Sequence, residues 1–235
     1  MGELSNPAPC PENLKAKAIL DIQHEEVQKL AKKLAQEELP DRLRLRKAHS
    51  LLAAILRPVY SVDEWQRASK TLLKRQGSCS QRMTCLEAVA RAIGIPTRVR
   101  AIYVEGSFWY PRFRFLRPFI PKRILLAWPQ FYLGGTWVDF DELYAPMAQL
   151  AATATRGFSN DLESLFEAVQ DTPVDFVGKT CGMACARAEY DLSRFVLDNR
   201  GFFNTRDELF EHLGSLEQTL RGRLFEMALG GRKSF

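Results

Sequence analysis

Residues 76–98, QGSCSQRMTCLEAVARAIGIPTR, constrain the fold more than any other stretch, because both ends of one helix are written into them. Ser78 and Gln81 have the Ser-x-x-Gln spacing of a capping box. The Ser78 hydroxyl can accept the Gln81 amide hydrogen, and the Gln81 side chain can reach back. Met83, Leu86, Ala90 and Ile93 continue the helical face on which Cys79 sits. Gly94 can take the left-handed conformation that closes a helix, and Pro96 forbids continuation. TRVRAIYV then alternates as a strand does. A helix with Cys79 in its first turn therefore runs straight into a strand.

The surrounding pattern is helices, then a sheet, then helices, which is an α+β order. Residues 1–12, with Pro7, Pro9 and Pro11, read as a disordered lead. The spacing predicts helices from Asn13 to about Gln36, from Asp41 to Ile55, and over SVDEWQRASKTLLKR. FYLGGTWVDFD reads as two strands about a Gly134-Gly135 hairpin turn. After Tyr144 helices are expected again, one opened by Asn160-x-x-Glu163 and one by Thr205-x-x-Glu208 running toward Leu220. The expected organisation is a lead (1–12), a core (13–145) and a helical C-terminal extension packed on the core (146–235).

Cys79 at the first helical position has two readings. Unpaired backbone N–H groups and the helix dipole favour negative charge there, which lowers a thiol pKa from its free value of about 8.5. The same N–H groups can hold an oxyanion on an attacked carbonyl. The plainer reading is a small residue tucked at a helix–sheet junction, since Cys is often buried for packing alone. Cys85, deeper in the helix, reads as core.

Here the residues resemble a known family. GSCSQRMTCLEAVARAIGIPTRV is similar to the core motif of the transglutaminase-like superfamily, in which Gly-x-Cys opens a helix and Gly-Ile-Pro-x-Arg closes it. The residues are Gly77, Cys79, Gly94, Ile95, Pro96 and Arg98. The family's second block, His-Ala-Trp-x-Glu-x-Tyr, a turn, then Trp-Val-x-x-Asp, resembles LAWPQFYLGGTWVDFD at 126–141. The resemblance implies a papain-like Cys-His-Asp core with a Cys-bearing central helix packed on an antiparallel sheet. It implies Cys79 as nucleophile and Asp141 as orienting acid, with Asp139 two residues off the motif position. The histidine position holds Leu126, and the strand's usual Glu is Gln130.

A leucine accepts no proton, and His24, His49 and His212 read as surface or capping residues on their helices. Leu126 either completes the core or makes the site apolar. The segment FWYPRFRFLRPFIPKR, aromatic and basic, is expected at the groove edge, either as a proline-stiffened loop or as a lid. The candidate substrate-binding residues are therefore Leu126, Trp128, Gln130, Gln81, Trp109, Tyr110 and Arg112. Cys181 and Cys185, four apart, read as packing or as half a metal or redox pair.

Composition narrows the partners. A net charge of +5 and the lack of a nucleic-acid motif argue against nucleic acid. No apolar run reaches ~18 residues, so no membrane span is expected. The N-terminus shows neither a secretory pattern nor, with Asn6 at the sixth position, a myristoylation signal. Five scattered cysteines do not read as a disulfide framework, so a cytoplasmic protein with reduced thiols is expected. No cofactor or metal motif is visible. The functional expectation is a non-standard transglutaminase-like enzyme acting on a small acyl compound, an amide or a thioester, possibly carrier-bound. Such an enzyme would serve small-molecule or peptide biosynthesis. The alternatives are a pseudoenzyme binding module, or non-acyl chemistry through Asp141.

Overall fold

A computed structural model describes residues 7–113, 115–161, 163–180 and 188–234. In chain order the elements are α1 (Glu25–Ala35), α2 (Asp41–Ile55), β1 (Arg57–Pro58), α3 (Ala68–Lys74), β2 (Gln76–Gly77), α4 (Cys79–Ala92), β3 (Thr97–Glu105), β4 (Arg123–Leu133), β5 (Thr136–Asp139), α5 (Met147–Thr153), α6 (Leu165–Ala168), β6 (Val196–Phe203), α7 (Arg206–Leu213) and α8 (Leu220–Leu229). The fold is α+β, with an antiparallel sheet of order β5-β4-β3-β6.

The helix that carries Cys79 is bounded as its sequence demands. Gln81 N donates to Ser78 Oγ at 3.3 Å and Ser78 N donates to Gln81 Oε1 at 3.0 Å. Gly94, at φ +86°, follows its end. Gly134 and Gly135 turn the β4–β5 hairpin at φ +59° and +86°, left-handed at both central positions as a tight hairpin of this twist requires.

Three layers result. α1, α2 and α3 pack on α4, which is buried from Gln81 to Arg91 and lies on one face of the sheet through Ile102, Val104, Leu126 and Trp128. α7 covers the other face, where Ile19, Val99, Ala101, Ala127, Leu209 and Phe210 form a second cluster. Strand alternation sends Leu126 and Trp128 to the α4 side and Ala127 to the α7 side. Each large apolar side chain so buried contributes about 1.5–3 kcal/mol. Between the layers Arg206, fully buried, donates from Nε to Glu87 Oε1 at 2.7 Å.

Several elements differ from the expectation. The helix predicted from Asn13 begins at Glu25, with His24 as its N-cap. Ile19 enters the α7-side cluster and Leu20 the α4-side core, so these neighbours point to opposite sides, as only extended backbone allows. The Ile19 backbone is satisfied elsewhere, its N–H by Asp207 Oδ1 and its carbonyl by Ala68 N. Of SVDEWQRASKTLLKR only Ala68–Lys74 is helical; Ser61 Oγ and the Asp63 carbonyl instead accept from Gln81 Nε2.

Beyond residue 146 the chain supplies a strand, β6, along β3, as well as helices. Its register shifts and its left-handed Gly201 hide it from a pattern search. Asn160 is no helix cap: it is left-handed, at φ +52°, and the cap is Ser164, whose Oγ accepts from Phe166 N. α7 opens at Thr205 as expected but stops at Leu213, where Gly214 has φ +72°. Leu165, Phe166, Val169, Val174 and Phe176 join the α4-side core. Cys181 and Cys185 lie outside the described residues. Among the described residues no helix is long and apolar enough to cross a membrane.

Candidate active site around Cys79

Cys79 is the first residue of α4, and its Sγ lies 3.3 Å from Ser164 Oγ. Ser164 is buried and already accepts from Phe166 N at 3.1 Å and from Arg82 Nη1 at 3.4 Å. A hydroxyl has two acceptor lone pairs and one donor hydrogen. With both lone pairs engaged, the single Ser164 hydrogen is shared between the Cys79 sulfur and the Glu167 carboxylate, which also bonds Ser164. Arg82 is itself fully buried, pairs with Glu167 and lies over the Phe166 ring at 4.4 Å. The chain Glu167–Arg82–Ser164–Cys79 thus places a buried hydroxyl, backed by a cation, against the thiol. The N–H groups of Cys79 and Ser80 make no hydrogen bond among the described residues.

A cavity of about 850 Å³ opens in front of Cys79. β5 pairs only with Gln130–Leu133, which leaves the first half of β4 as an open edge. Ile124, Leu125, Leu126 and Ala127 all line the cavity, and consecutive residues of a strand share one cavity only along its edge. The segment 109–121 forms another wall with Trp109, Phe113, Leu116 and Phe119. α8 closes a third side with Leu224, Phe225 and Leu229. Gly222 makes this closure possible, since a Cβ there would lie 1.9 Å from the Leu216 carbonyl oxygen.

One carboxyl group faces this apolar space. Glu64 lines the cavity, and its Oε2 accepts from Ser80 Oγ at 2.5 Å. Burial pushes its pKa up to about 7, against the pull of Arg206, whose Nη1 stands 3.8 Å away. Arg206 also donates from Nη1 to Ser80 Oγ at 3.0 Å and from Nη2 to the Ala127 carbonyl at 3.2 Å.

The residues singled out in the sequence divide into two groups. Cys79, Leu126, Trp109 and Arg112 line the cavity. Arg112 also ties the wall to the Ser164 segment through Asn160 Oδ1 and the Glu163 carbonyl. Asp141, Trp128, Gln130, Gln81 and Tyr110 are not among the lining residues. Asp141 follows β5 in a 3-10 turn, and its Oδ1 accepts from Trp128 Nε1 at 3.2 Å. Burial, reinforced by Asp139, raises its pKa to about 8.

Gln130 bridges Arg98 and Asp139, at 2.7 and 2.6 Å. Asp139 also pairs with Arg100 and Lys179. Gln81 serves the capping box, and exposed Tyr110 lies beneath Arg117. No histidine lines the cavity among the described residues. His49, read as a surface or capping residue, is fully buried, bonded to Tyr144 Oη at 2.9 Å and to the Phe166 carbonyl at 2.5 Å. Burial lowers its pKa to about 4, so it stays neutral. Among the described residues no group of three His, Cys, Asp or Glu side chains could hold a metal ion.

Sequence reading missed Ser164 and Glu64. Ser164-x-x-Glu167 is itself a capping spacing that could have drawn attention. Nothing local marks Glu64.

Fold and site together define an α+β protein with a cysteine at the head of a buried helix packed on an antiparallel sheet. Residues 28–142 match the family model of the transglutaminase-like superfamily. A crystal structure from Cytophaga hutchinsonii, of a candidate cysteine protease, is similar at 20% sequence identity with a TM-score of 0.43. The alignment covers 58% of this chain and 43% of that one, so this chain spans less than half the length of that protein. No curated protein matches the chain.

Proposed function

We propose that this protein is an acyl-transferring or acyl-hydrolysing enzyme whose nucleophile is Cys79 and whose substrate is an apolar acyl amide or thioester. The observation that carries this reading is a thiol at a helix N-terminus, bonded to a polarised hydroxyl, opening onto a large apolar cavity. The volume suits a drug-sized or lipid-like group, and its apolar walls favour an alkyl or aromatic acyl part over a polar one.

In the proposed reaction the Cys79 sulfur attacks the carbonyl carbon. The carbonyl π electrons move to oxygen, where the N–H groups of Cys79 and Ser80 can accept the charge. Collapse breaks the C–N or C–S bond, leaving the acyl group on sulfur for transfer to a second nucleophile or water. The Ser164 hydroxyl and the helix terminus stabilise the thiolate. Glu64, titrating near neutrality in the same cavity, is the group able to exchange protons with the leaving group or the incoming nucleophile. Leu126 occupies the family's histidine position and forms wall instead. The reading fits a biosynthetic role in a reducing, cytoplasmic setting, where the free thiol of Cys79 persists.

Two measurements test it. Iodoacetamide near neutral pH should label Cys79 much faster than Cys85, whose thiol burial pushes up and out of reach. Acyl thioesters of N-acetylcysteamine should leave an acyl mass on Cys79, more readily as the chain lengthens from acetyl to dodecanoyl. Equal, slow labelling of both thiols, or no acyl adduct from any chain, refutes the reading.

A second reading, an apolar-ligand binding module without turnover, is favoured by Leu126 in the cavity wall. Leu126→His discriminates: acyl transfer only in the variant would identify the natural protein as a binder. Non-acyl chemistry through Asp141 has less support, because Asp141 is not among the residues lining the cavity.

A further inference from the structure

We infer that the rim of the Cys79 cavity is a docking surface for an anionic phospholipid bilayer, from which an acyl chain enters the cavity. This rests on the reading of Cys79 as a nucleophile toward an apolar acyl compound.

The rim exposes large apolar side chains. Phe119 is 73% exposed and Leu224 55% exposed, and both also line the cavity, so they frame its mouth. Leu220 (75%) and Met227 (81%) lie with Leu224 at i, i+4 and i+7, one stripe along the outside of α8. The inner side of the helix turns Gly222, Phe225 and Leu229 to the cavity. Phe115, beside the mouth residue Leu116, is 96% exposed. The Phe113 and Phe225 rings, 5.7 Å apart, join segment 109–121 to α8, so the two exposed groups belong to one rim. Contiguous apolar surface of this kind marks an interaction site.

The charge of the rim selects the partner. Segment 106–123 contains no carboxylate. On α8 the single acid, Glu226, is turned inward, accepting from Ser61 Oγ at 2.9 Å and Val62 N at 2.7 Å. Arg117, Lys122, Arg221 and Arg223 form no ion pair with a described carboxylate. Apolar side chains ringed by unpaired cations suit the headgroup–acyl boundary of an anionic membrane.

A second copy of the chain fits poorly, because a two-fold contact would set these cations against themselves. An acidic acyl-carrier protein would satisfy the charge. Its phosphate-and-amide arm would meet Arg221 there, but Leu116, Pro118, Phe119 and Leu224 around it offer the arm's amides no polar partner. A lipid chain leaving the bilayer between these side chains crosses no water. The sequence leads one to expect no membrane partner because no segment can span a bilayer; a helix lying on its surface needs no such length.

The test is co-sedimentation of the whole protein with vesicles of phosphatidylglycerol and phosphatidylcholine in equal parts, against phosphatidylcholine alone. Binding should favour the anionic vesicles and weaken with salt. Leu220→Asp with Met227→Asp should lower it about tenfold or more, and Arg117→Glu with Arg223→Glu should abolish the anionic preference. None of these four residues lines the cavity, so lipid-free iodoacetamide labelling of Cys79 should stay unchanged in both variants, which also reports folding. Cys79→Ala should bind vesicles like the parent, so a failure of the nucleophile reading and a failure of the docking surface are separately visible. The inference is overturned if the parent binds no vesicles, if the variants bind equally well, if only an acidic carrier protein is bound, or if the rim proves to be a self-association face whose dimer the Asp variants dissociate.

Discussion

Ser164 Oγ stands 3.3 Å from Cys79 Sγ, although the two residues are 85 apart in sequence. The thiol is fixed by the head of α4, and the hydroxyl by the cap of the short helix α6. Arg82, one turn along α4 from Cys79, donates to the hydroxyl oxygen and so fixes its position against the sulfur.

Ser164→Ala should therefore make Cys79 react more slowly. A hydrogen bond to a charged group is worth roughly 1.5–3 kcal/mol, so its loss should slow iodoacetamide labelling of the sulfur. Labelling at pH 7 should slow several-fold. An unchanged rate in a folded variant would show that Ser164 only packs.

Glu64→Gln should act in the opposite sense above neutrality. Glu64 ionises near pH 7 in the cavity that Cys79 faces, and its negative charge then opposes a nearby thiolate. In the parent, the rise in labelling rate should flatten above about pH 7. The Gln variant should lack the flattening and label faster at pH 8. Superimposable profiles would mean that the two groups do not communicate.

Asp141 should leave a mark on stability. Its folded pKa, about 8, lies far above the ordinary carboxylate value of 3.8. The folded state thus holds a proton that the unfolded chain has released, and the associated stabilisation, complete below about pH 4, is lost as pH rises through about 8. Urea unfolding at intervals from pH 5 to 9 should show stability falling across this range. In Asp141→Asn, which can still accept from Trp128 Nε1, the fall should be smaller.

Arg206→Met leaves Glu87 buried without its cation. Breaking such a pair costs about 3–5 kcal/mol, read as a lower urea midpoint. Pairing it with Glu87→Met should recover much of the loss, because the uncompensated charge is then gone. Full additivity of the two single losses would show that the pair is not coupled.

The sequence by itself determined the local framework of this protein. The Ser78–Gln81 box, the Gly94-Ile95-Pro96 stop, the alternation of β3 and the Gly134-Gly135 turn depend on neighbours a few residues apart, so each is legible in one dimension. The same stretches placed Cys79 at a helix head and Leu126 on the facing strand. Tertiary structure decided what those residues meet. Whether residues 13–24 form a helix depends on Ile19 and Leu20 finding apolar clusters on opposite sides, which no periodicity announces. His49 looked solvent-facing on its helix, yet the Tyr144 hydroxyl and Phe166 carbonyl that satisfy its ring come from beyond residue 140. β6 became a strand because β3 offered an edge, and edge pairing can override a weak local preference. Ser164 and Glu64 reach the site from segments with no motif of their own. A hydroxyl or a carboxyl acquires its chemistry from the burial, donors and charges around it, and those are set only when distant parts of the chain close on one cavity.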